Sequence, residues 1–201
     1  MSDRRVRIER ATAETSITIE FDLDGSGNST VNTGVGALDH FLTLFARHGL
    51  FDLTIEAQGD LSVDAHHTIE DIGICLGQAI HRSLGDHKGI RRTADIAVPM
   101  DEALAHVAVD CAGRSYFVTN GTFSAPAIGN LETALVWHFL DSLSREARMN
   151  IHIVKLYGRD AHHEVEAVFK AFGRALDAAT SVDLRLRDRL PSTKERIEGA
   201  Q

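Results

Sequence analysis

The stretch DAHHTIEDIGICLGQAI (64–80) occurs a second time, in altered form, as DAHHEVEAVFKAFGRAL (160–176). Both copies have Asp, Ala, two histidines, a glutamate, a glycine and an alanine at the same positions. The match extends upstream, where HFLTLFARHG (40–49) resembles HFLDSLSREA (138–147). A repeat of this length predicts two copies of one supersecondary unit.

Each copy has the pattern strand, strand, helix, strand, helix. Alternating apolar residues predict strands, and apolar residues at helical spacing predict helices. The strands are expected at 6–8, 17–23, 51–55, 96–100, 105–111 and 150–157, the helices at 38–49, 65–85, 130–147 and 161–180, and a surface loop at 121–130. Gly49 is expected to cap the first helix, and Asp64 and Asp160 to cap the starts of the two helices that carry the histidine pairs.

The predicted fold class is α+β, with two tandem similar halves and helices packed between or against mixed sheets. The two halves are expected to meet helix face to helix face. No linker separates them, so the whole chain, 1–201, is expected to form a single compact catalytic domain. Its internal duplication divides the chain at about 1–90 and 91–190.

Composition narrows the class of protein. Of the 201 residues, 43% are hydrophobic and 25% are charged, and no apolar run reaches the ~20 residues that a membrane helix needs. The formal net charge of −8 argues against nucleic acid or an anionic membrane as partner. The N-terminus lacks the apolar segment of a signal peptide, and Cys75 and Cys111 lie in apolar-patterned segments. A cytoplasmic protein with two buried thiols is expected.

The adjacent histidines indicate metal binding. Caps at Asp64 and Asp160 place each pair in the first turn of a helix, where the helix dipole disfavours imidazolium and so favours the neutral form that binds metals. Neighbouring helical side chains point about 100° apart, whereas residues four apart share a face. This groups His66 with Glu70 and His162 with Glu166, and leaves His67 and His163 facing a second direction.

Exchange between the halves would then build two sites of three histidines and one carboxylate each. His40 and His138, which match across the repeat, complete them. The expected groups, drawn from one subunit or from two, are His40, His66, Glu70 and His163 in one site, and His67, His138, His162 and Glu166 in the other. Such ligands suit Mn, Fe, Co, Ni or Zn, and ligand type alone does not choose between these metals.

The segments GVGALDHFLTLFARHGLFDL, DAHHTIEDIGICLGQAI, AHHEVEAVFKAFGRAL and PSTK resemble those of the imidazoleglycerol-phosphate dehydratase family of histidine biosynthesis. The resemblance runs from about residue 5 to residue 194. It implies two similar halves and a homo-oligomer of 24 subunits, with active sites between subunits and two Mn²⁺ ions per site. It also implies dehydration of imidazoleglycerol phosphate to imidazole acetol phosphate, with the imidazole of this small phosphorylated substrate bound to both ions as imidazolate.

The same resemblance suggests roles for individual residues. Glu14 is expected to contact the substrate and to act as acid or base, a role for which Glu166 competes. The other expected substrate-binding residues are His48, Arg92, Arg114, Ser192, Thr193 and Lys194, several of them on the phosphate. Ser115 and Glu195 stand where the family has proline and glycine.

Two other classes of protein fit part of the pattern. A two-metal hydrolase would need bridging carboxylates between ions ~3.5–4 Å apart. A metal-stabilised shell or storage protein would have closed coordination and would need neither Glu14 nor Lys194.

Overall fold

Two four-stranded sheets of the same construction form the β structure. The computed structural model describes residues 4–186 and 188–198. The first sheet contains β1 (Arg5–Ala11), β2 (Thr15–Asp22), β3 (Ser29–Asn32) and β4 (Asp52–Gly59), in the spatial order β1-β2-β4-β3. The next strands are β5 (Thr93–Met100), β6 (Ala103–Asp110) and β7 (Tyr116–Thr119), then a separate ribbon of β8 (Ala127–Ile128) and β9 (Leu131–Glu132), and finally β10 (Asn150–Tyr157). The second sheet has the order β5-β6-β10-β7, which repeats the first.

Each four-stranded sheet contains one strand more than the sequence predicted. β3 pairs in parallel with β4, and β7 pairs in parallel with β10, so both lie at sheet edges. Each is four residues long and has no fully buried side chain. The prediction depended on buried residues in alternation, and these short edge strands do not show that pattern. The ribbon of β8 and β9 was also missed, and β8 lies inside the expected loop at 121–130.

Four helices lie between the sheets in the described residues: α1 (Gly36–Gly49), α2 (His66–Leu84), α3 (Thr133–Ala147) and α4 (Ala161–Thr180). α2 packs along α3, and α1 packs along α4, so each contact joins the two halves. The rings of Phe41 and Phe169 stack with centroids 5.6 Å apart, and those of Phe45 and Phe172 stack at 5.1 Å. The predicted helix-to-helix packing of the halves is confirmed.

The helix ends agree in part with the expected caps. Asp160 caps α4, because its Oδ1 accepts a hydrogen bond of 2.8 Å from the amide of His162. Asp64 Oδ1 accepts from the amide of His66 at 2.7 Å, although the helix boundary lies one residue later, at Ala65. The prediction for Gly49 was wrong, since Leu50 takes the left-handed position with φ 58°. Gly49 is needed for space instead, because a Cβ there would lie 2.2 Å from the ring of Phe51.

Both cysteines are free and buried, as expected. Burial raises the pKa of Cys75 and of Cys111 to about 12, so both remain protonated and unreactive near neutral pH. Among the described residues, no helix has the length and apolar character required to cross a membrane.

Candidate metal centre and active site

A first cluster of possible metal ligands joins the start of α1 to the start of α4. His40 Nε2 lies 2.8 Å from Glu166 Oε1, and His162 Nε2 lies 3.1 Å from the same oxygen. The two imidazole rings stack with centroids 5.3 Å apart. One ligand atom from each of these three residues falls within 4.8 Å of the others, which is close enough for one ion to bind all three.

A second cluster joins the starts of α2 and α3. It consists of His66, Glu70 and His138, whose ligand atoms also lie within 4.8 Å of one another. His138 Nε2 lies 3.6 Å from Glu70 Oε1, and the rings of His66 and His138 are 4.4 Å apart. His138 Nε2 is buried and has no hydrogen-bond partner in the described part of the chain. An unpartnered buried nitrogen costs stability, and a bound cation would supply its missing partner, so these residues fit a metal ion.

The grouping differs from the expected one. The sequence argument combined His40 with His66 and Glu70, and His138 with His162 and Glu166. The structure has the opposite exchange: His40 joins His162 and Glu166, while His138 joins His66 and Glu70. The reason is the helix packing, because α1 lies along α4 and α3 lies along α2. Exchange between the halves was predicted, but its direction depends on which helices are neighbours.

The second histidine of each pair lies outside the clusters and bonds a different carboxylate. The rings of His66 and His67 are at 81° to each other, and those of His162 and His163 are at 80°. His67 Nδ1 lies 3.0 Å from Asp60 Oδ2, and His163 Nδ1 lies 2.8 Å from Glu102 Oε2. The two directions expected from the helical spacing are therefore present.

The acidic partners also shift the pKa of these histidines. The hydrogen bond to Asp60 raises the pKa of His67, and the hydrogen bond to Glu102 raises the pKa of His163. The helix dipole was expected to favour the neutral ring, but a directly bonded carboxylate has the larger effect. In return, the bond to His163, helped by backbone amides, lowers the pKa of Glu102 to about 2.

Glu166 is a strongly stabilised anion. Burial alone would raise its pKa, yet hydrogen bonds from Lys170, His40 and His162 lower the pKa of Glu166 to about 2. Lys170 Nζ lies 2.6 Å from Glu166 Oε2, the oxygen that does not contact the histidines.

Nearby on α1, burial lowers the pKa of His48, and the positive charges of Lys170 and Arg174 lower it further. His48 therefore remains neutral at pH 7.

Glu14 lies beside the first histidine pair, in the turn between β1 and β2. Its Oε2 is 3.7 Å from His67 Nδ1, and its side chain is 55% exposed. Its own backbone amide bonds to Thr12 Oγ1 at 3.2 Å, which holds the turn. Glu14 thus places a solvent-accessible carboxylate next to a candidate metal ligand.

A cationic cavity of about 330 Å³ lies at the C-terminal end of the chain. It brings together the residues expected to bind phosphate, namely Arg92, Arg114, Ser192 and Lys194, with Thr193, another expected substrate-binding residue, and adds Arg196. Arg92 makes two hydrogen bonds to Asp110, at 2.6 and 3.0 Å, and a third to the carbonyl of Pro191 at 3.0 Å. It thereby attaches the tail to the second sheet. Glu195, where the family has glycine, has φ 54°, a conformation that glycine adopts more readily.

The cavity and the first cluster lie at opposite ends of α4. The amide of Arg92 donates to the carbonyl of Ala179 at 2.7 Å, near the end of the helix. His162 lies in its first turn. At ~1.5 Å per residue, the two positions are roughly 26 Å apart along the helix.

Comparison with known proteins identifies the family. The family model described as imidazoleglycerol-phosphate dehydratase matches residues 33–176. The chain is 57% identical over 191 residues to the imidazoleglycerol-phosphate dehydratase of Chloroflexus aurantiacus, covering 95% of this chain and 93% of the relative. It is 54% identical over 191 residues to that of Geobacillus thermodenitrificans, covering 95% and 97%. The chain belongs to the imidazoleglycerol-phosphate dehydratase family.

Solved structures agree with this assignment. The crystal structure of imidazoleglycerol-phosphate dehydratase from Staphylococcus aureus superposes with a TM-score of 0.81 at 40% identity, covering 89% of this chain and 99% of that one. The structure from Pyrococcus furiosus gives a TM-score of 0.81 at 36% identity, covering 94% and 100%. The family resemblance and the predicted α+β fold are confirmed.

Four residues at the site were missed by the sequence argument. They are Asp60, Glu102, Lys170 and Arg196. Lys170 follows Glu166 by one helical turn, a spacing that could have indicated an ion pair. Asp60 and Glu102 lie in turns without periodicity, and only the fold of this dehydratase-family chain brings them against His67 and His163.

Proposed function

We propose that this protein catalyses the dehydration of imidazoleglycerol phosphate to imidazole acetol phosphate in histidine biosynthesis, and that it does so in the cytoplasm. The observation that carries the proposal is the pair of histidine–carboxylate clusters in a chain of this family. The clusters share no carboxylate, so the described residues lack the bridging ligand that a two-metal hydrolase needs. The exposed Glu14 and the cationic cavity also have no purpose in a shell protein.

Two Mn²⁺ ions are proposed as cofactors. His40, His162 and Glu166 would hold one ion, and His66, Glu70 and His138 would hold the other. His67 and His163 belong to neither cluster and bond Asp60 and Glu102 instead, and we assign them to the sites of neighbouring subunits as fourth ligands. The bound ions would stabilise the substrate imidazole as imidazolate and so favour loss of the adjacent hydroxyl.

Glu14 is proposed as the acid or base that moves the substrate proton. A base needs access to substrate and an oxygen that is not already saturated by donors, and Glu14 is exposed beside His67. Glu166 meets neither condition, because its side chain is only 9% exposed, its Oε2 accepts from Lys170, and its Oε1 faces the proposed ion site beside His40 and His162. We therefore assign Glu166 to the metal and Glu14 to proton transfer, with His48 as a neutral group available to contact the substrate.

The phosphate of the substrate is assigned to the cavity of Arg114, Ser192, Thr193 and Lys194, with Arg92 holding its wall. A molecule of about seven bonds of roughly 1.5 Å each is on the order of 10 Å long. It cannot span the roughly 26 Å of helix between this cavity and His162 of the same chain. One active site would then combine the cluster of His40, His162 and Glu166 of one subunit with the cavity of another. We propose that the subunits form the homo-oligomer of 24 that the family resemblance implies.

The chain itself is proposed to be one catalytic unit, 1–201, that arose by an internal duplication. The two copies are at about 1–90 and 91–190. The two sheets share the order of their strands, and each parallel edge strand connects through a helix to its neighbour. Because each metal cluster takes residues from both halves, neither half could bind its ion alone.

The proposal is tested by turnover of imidazoleglycerol phosphate by metal-stripped protein, with and without added Mn²⁺. We expect product only with metal, and we expect Glu14→Gln to lose roughly 10²–10⁴-fold in kcat, the range for general acid–base groups. Glu9→Gln is the control, since Glu9 is an exposed glutamate in β1 whose side chain bonds only Arg7 among the described residues. Absence of turnover from protein that binds two Mn²⁺ ions would exclude the dehydratase, and full activity of Glu14→Gln would exclude this residue as the acid or base.

A further inference from the structure

Glu102 occupies the position in the second half that Glu14 occupies in the first. Glu14 directly precedes Thr15, the first residue of β2, and Glu102 directly precedes Ala103, the first residue of β6. The two strands have the same place in sheets of the same order. The internal repeat therefore supplies two matched carboxylates, one in each hairpin turn.

The two carboxylates have different surroundings. Glu102 Oε1 accepts hydrogen bonds from the amides of Arg159 and Asp160 at 3.3 and 3.0 Å, and its Oε2 lies 2.8 Å from His163 Nδ1. Its side chain is 26% exposed, whereas that of Glu14 is 55% exposed. Both oxygens of Glu102 are thus bound to the start of α4, while Glu14 stays open to solvent.

The bond between Glu102 and His163 determines which ring nitrogen is free. A carboxylate can only accept, so Nδ1 of His163 carries the hydrogen. In the neutral ring, Nε2 then has the lone pair and is the nitrogen available to a metal. The acidic atom nearest to Nε2 of His163 among the described residues is Oδ2 of the exposed Asp101, 3.9 Å away.

We propose that Glu102 is a positioning residue that holds His163 in the tautomer and orientation required of a metal ligand. This inference rests on the metal-dependent function proposed above and concerns how one of its sites is built. Histidine ligands commonly donate their second N–H to a carboxylate, and removal of that partner weakens metal binding about 10–100-fold.

Asp60 does the same for His67 in the first half. Its Oδ2 lies 3.0 Å from His67 Nδ1, at the exit of β4. The chain after β10 reads Gly158-Arg159 and has no carboxylate at the corresponding exit, so the hairpin residue Glu102 takes this role. Because Asp60 bonds His67 Nδ1, the carboxylate of Glu14 is not needed to hold this ring. This explains why only one of two matched glutamates is free for proton transfer.

The test is Mn²⁺ binding by the full-length protein, measured from the free-ion signal in electron paramagnetic resonance. We expect Glu102→Ala to weaken one of the two sites about 10–100-fold and to leave the other unchanged. Asp60→Ala should weaken the other site, the one to which His67 contributes, by a similar factor. The double variant should weaken both sites. Glu14→Ala, the matched control from the other hairpin, should keep both affinities.

Turnover gives a second, separate result. Saturating Mn²⁺ should restore the kcat of Glu102→Ala, since the metal site is weakened but complete, whereas no Mn²⁺ concentration should restore Glu14→Ala. Unchanged affinity at both sites of Glu102→Ala would overturn the inference, and loss of both would also overturn it by indicating general disruption of α4. If wild-type protein binds two ions but does not turn over imidazoleglycerol phosphate, the proposed function fails while the binding results still decide the role of Glu102.

Discussion

The buried ion pair between Lys155 and Glu164 offers a strong test of what holds in place the end of α4 that carries the candidate metal ligands. Glu164 follows His163 in the first turn of the helix and has a fully buried side chain, while that of Lys155, on β10, is 17% exposed. Lys155 Nζ lies 3.0 Å from Glu164 Oε1, and the amide of Ser124 donates to Oε2 at 2.8 Å. We predict that Lys155→Met severely destabilises the protein.

The magnitude follows from the contacts that remain. Without the ammonium, the Glu164 carboxylate keeps as partners, within the described part of the chain, only the Ser124 amide and the helix N-terminus. Removing one member of a buried pair costs about 3–5 kcal/mol, because a charge stays buried without compensation. For a chain of this size, each kcal/mol lowers Tm by about 2–4 °C, so a fall of about 10 °C is expected.

Thermal unfolding followed by calorimetry, at one fixed protein concentration, measures this effect, since assembly makes Tm depend on concentration. Glu164→Gln and the double variant Lys155→Met/Glu164→Gln complete the cycle. Because glutamine is neutral and can still accept from Ser124, the double variant should be more stable than Lys155→Met alone. A loss below about 1 kcal/mol in Lys155→Met, or a double variant less stable than the single one, would refute the argument from the uncompensated charge.

Two further predictions concern packing and pH. Gly77→Ala should destabilise the protein by about 1–2 kcal/mol, because overpacking outweighs the better helix propensity of alanine. Its Cβ would lie 2.5 Å from the carbonyl of Leu143 on α3, whereas at Gly36 nothing lies within 4 Å, so Gly36→Ala should not destabilise. Equal Tm values for the two variants would contradict this. Burial lowers the pKa of His87, and the charge of His81 adds to the effect, so below about pH 6.5 the unfolded chain binds a proton that the folded chain excludes. The contribution of His87 to stability is therefore lost as the pH falls below about 6.5. Between pH 7 and 5, Tm should decline less in His87→Asn than in the wild-type protein. Asparagine is chosen because it tolerates the φ of 59° at this position. An unchanged decline would exclude His87 as a source of acid sensitivity.

Much of the site was predictable because its signals are local. The repeated histidine pairs, their glutamates one turn later and the caps at Asp64 and Asp160 all follow from helical periodicity, and the helices begin where these residues indicated. The alternation in β2 and β6 likewise gave the central strands of both sheets. The residues assigned to phosphate by family resemblance line one cavity.

The sequence by itself therefore determined the repeat, the helix starts, the residues of the candidate metal clusters and the family. Only the tertiary structure decided which histidine joins which pair, because that depends on α1 lying along α4 and α3 along α2. It also decided that Asp60 and Glu102 hold His67 and His163, and that Glu14 is left free. The physical reason is range: periodicity reports contacts within one turn or one strand, whereas these partners are brought together by packing between segments far apart in the chain.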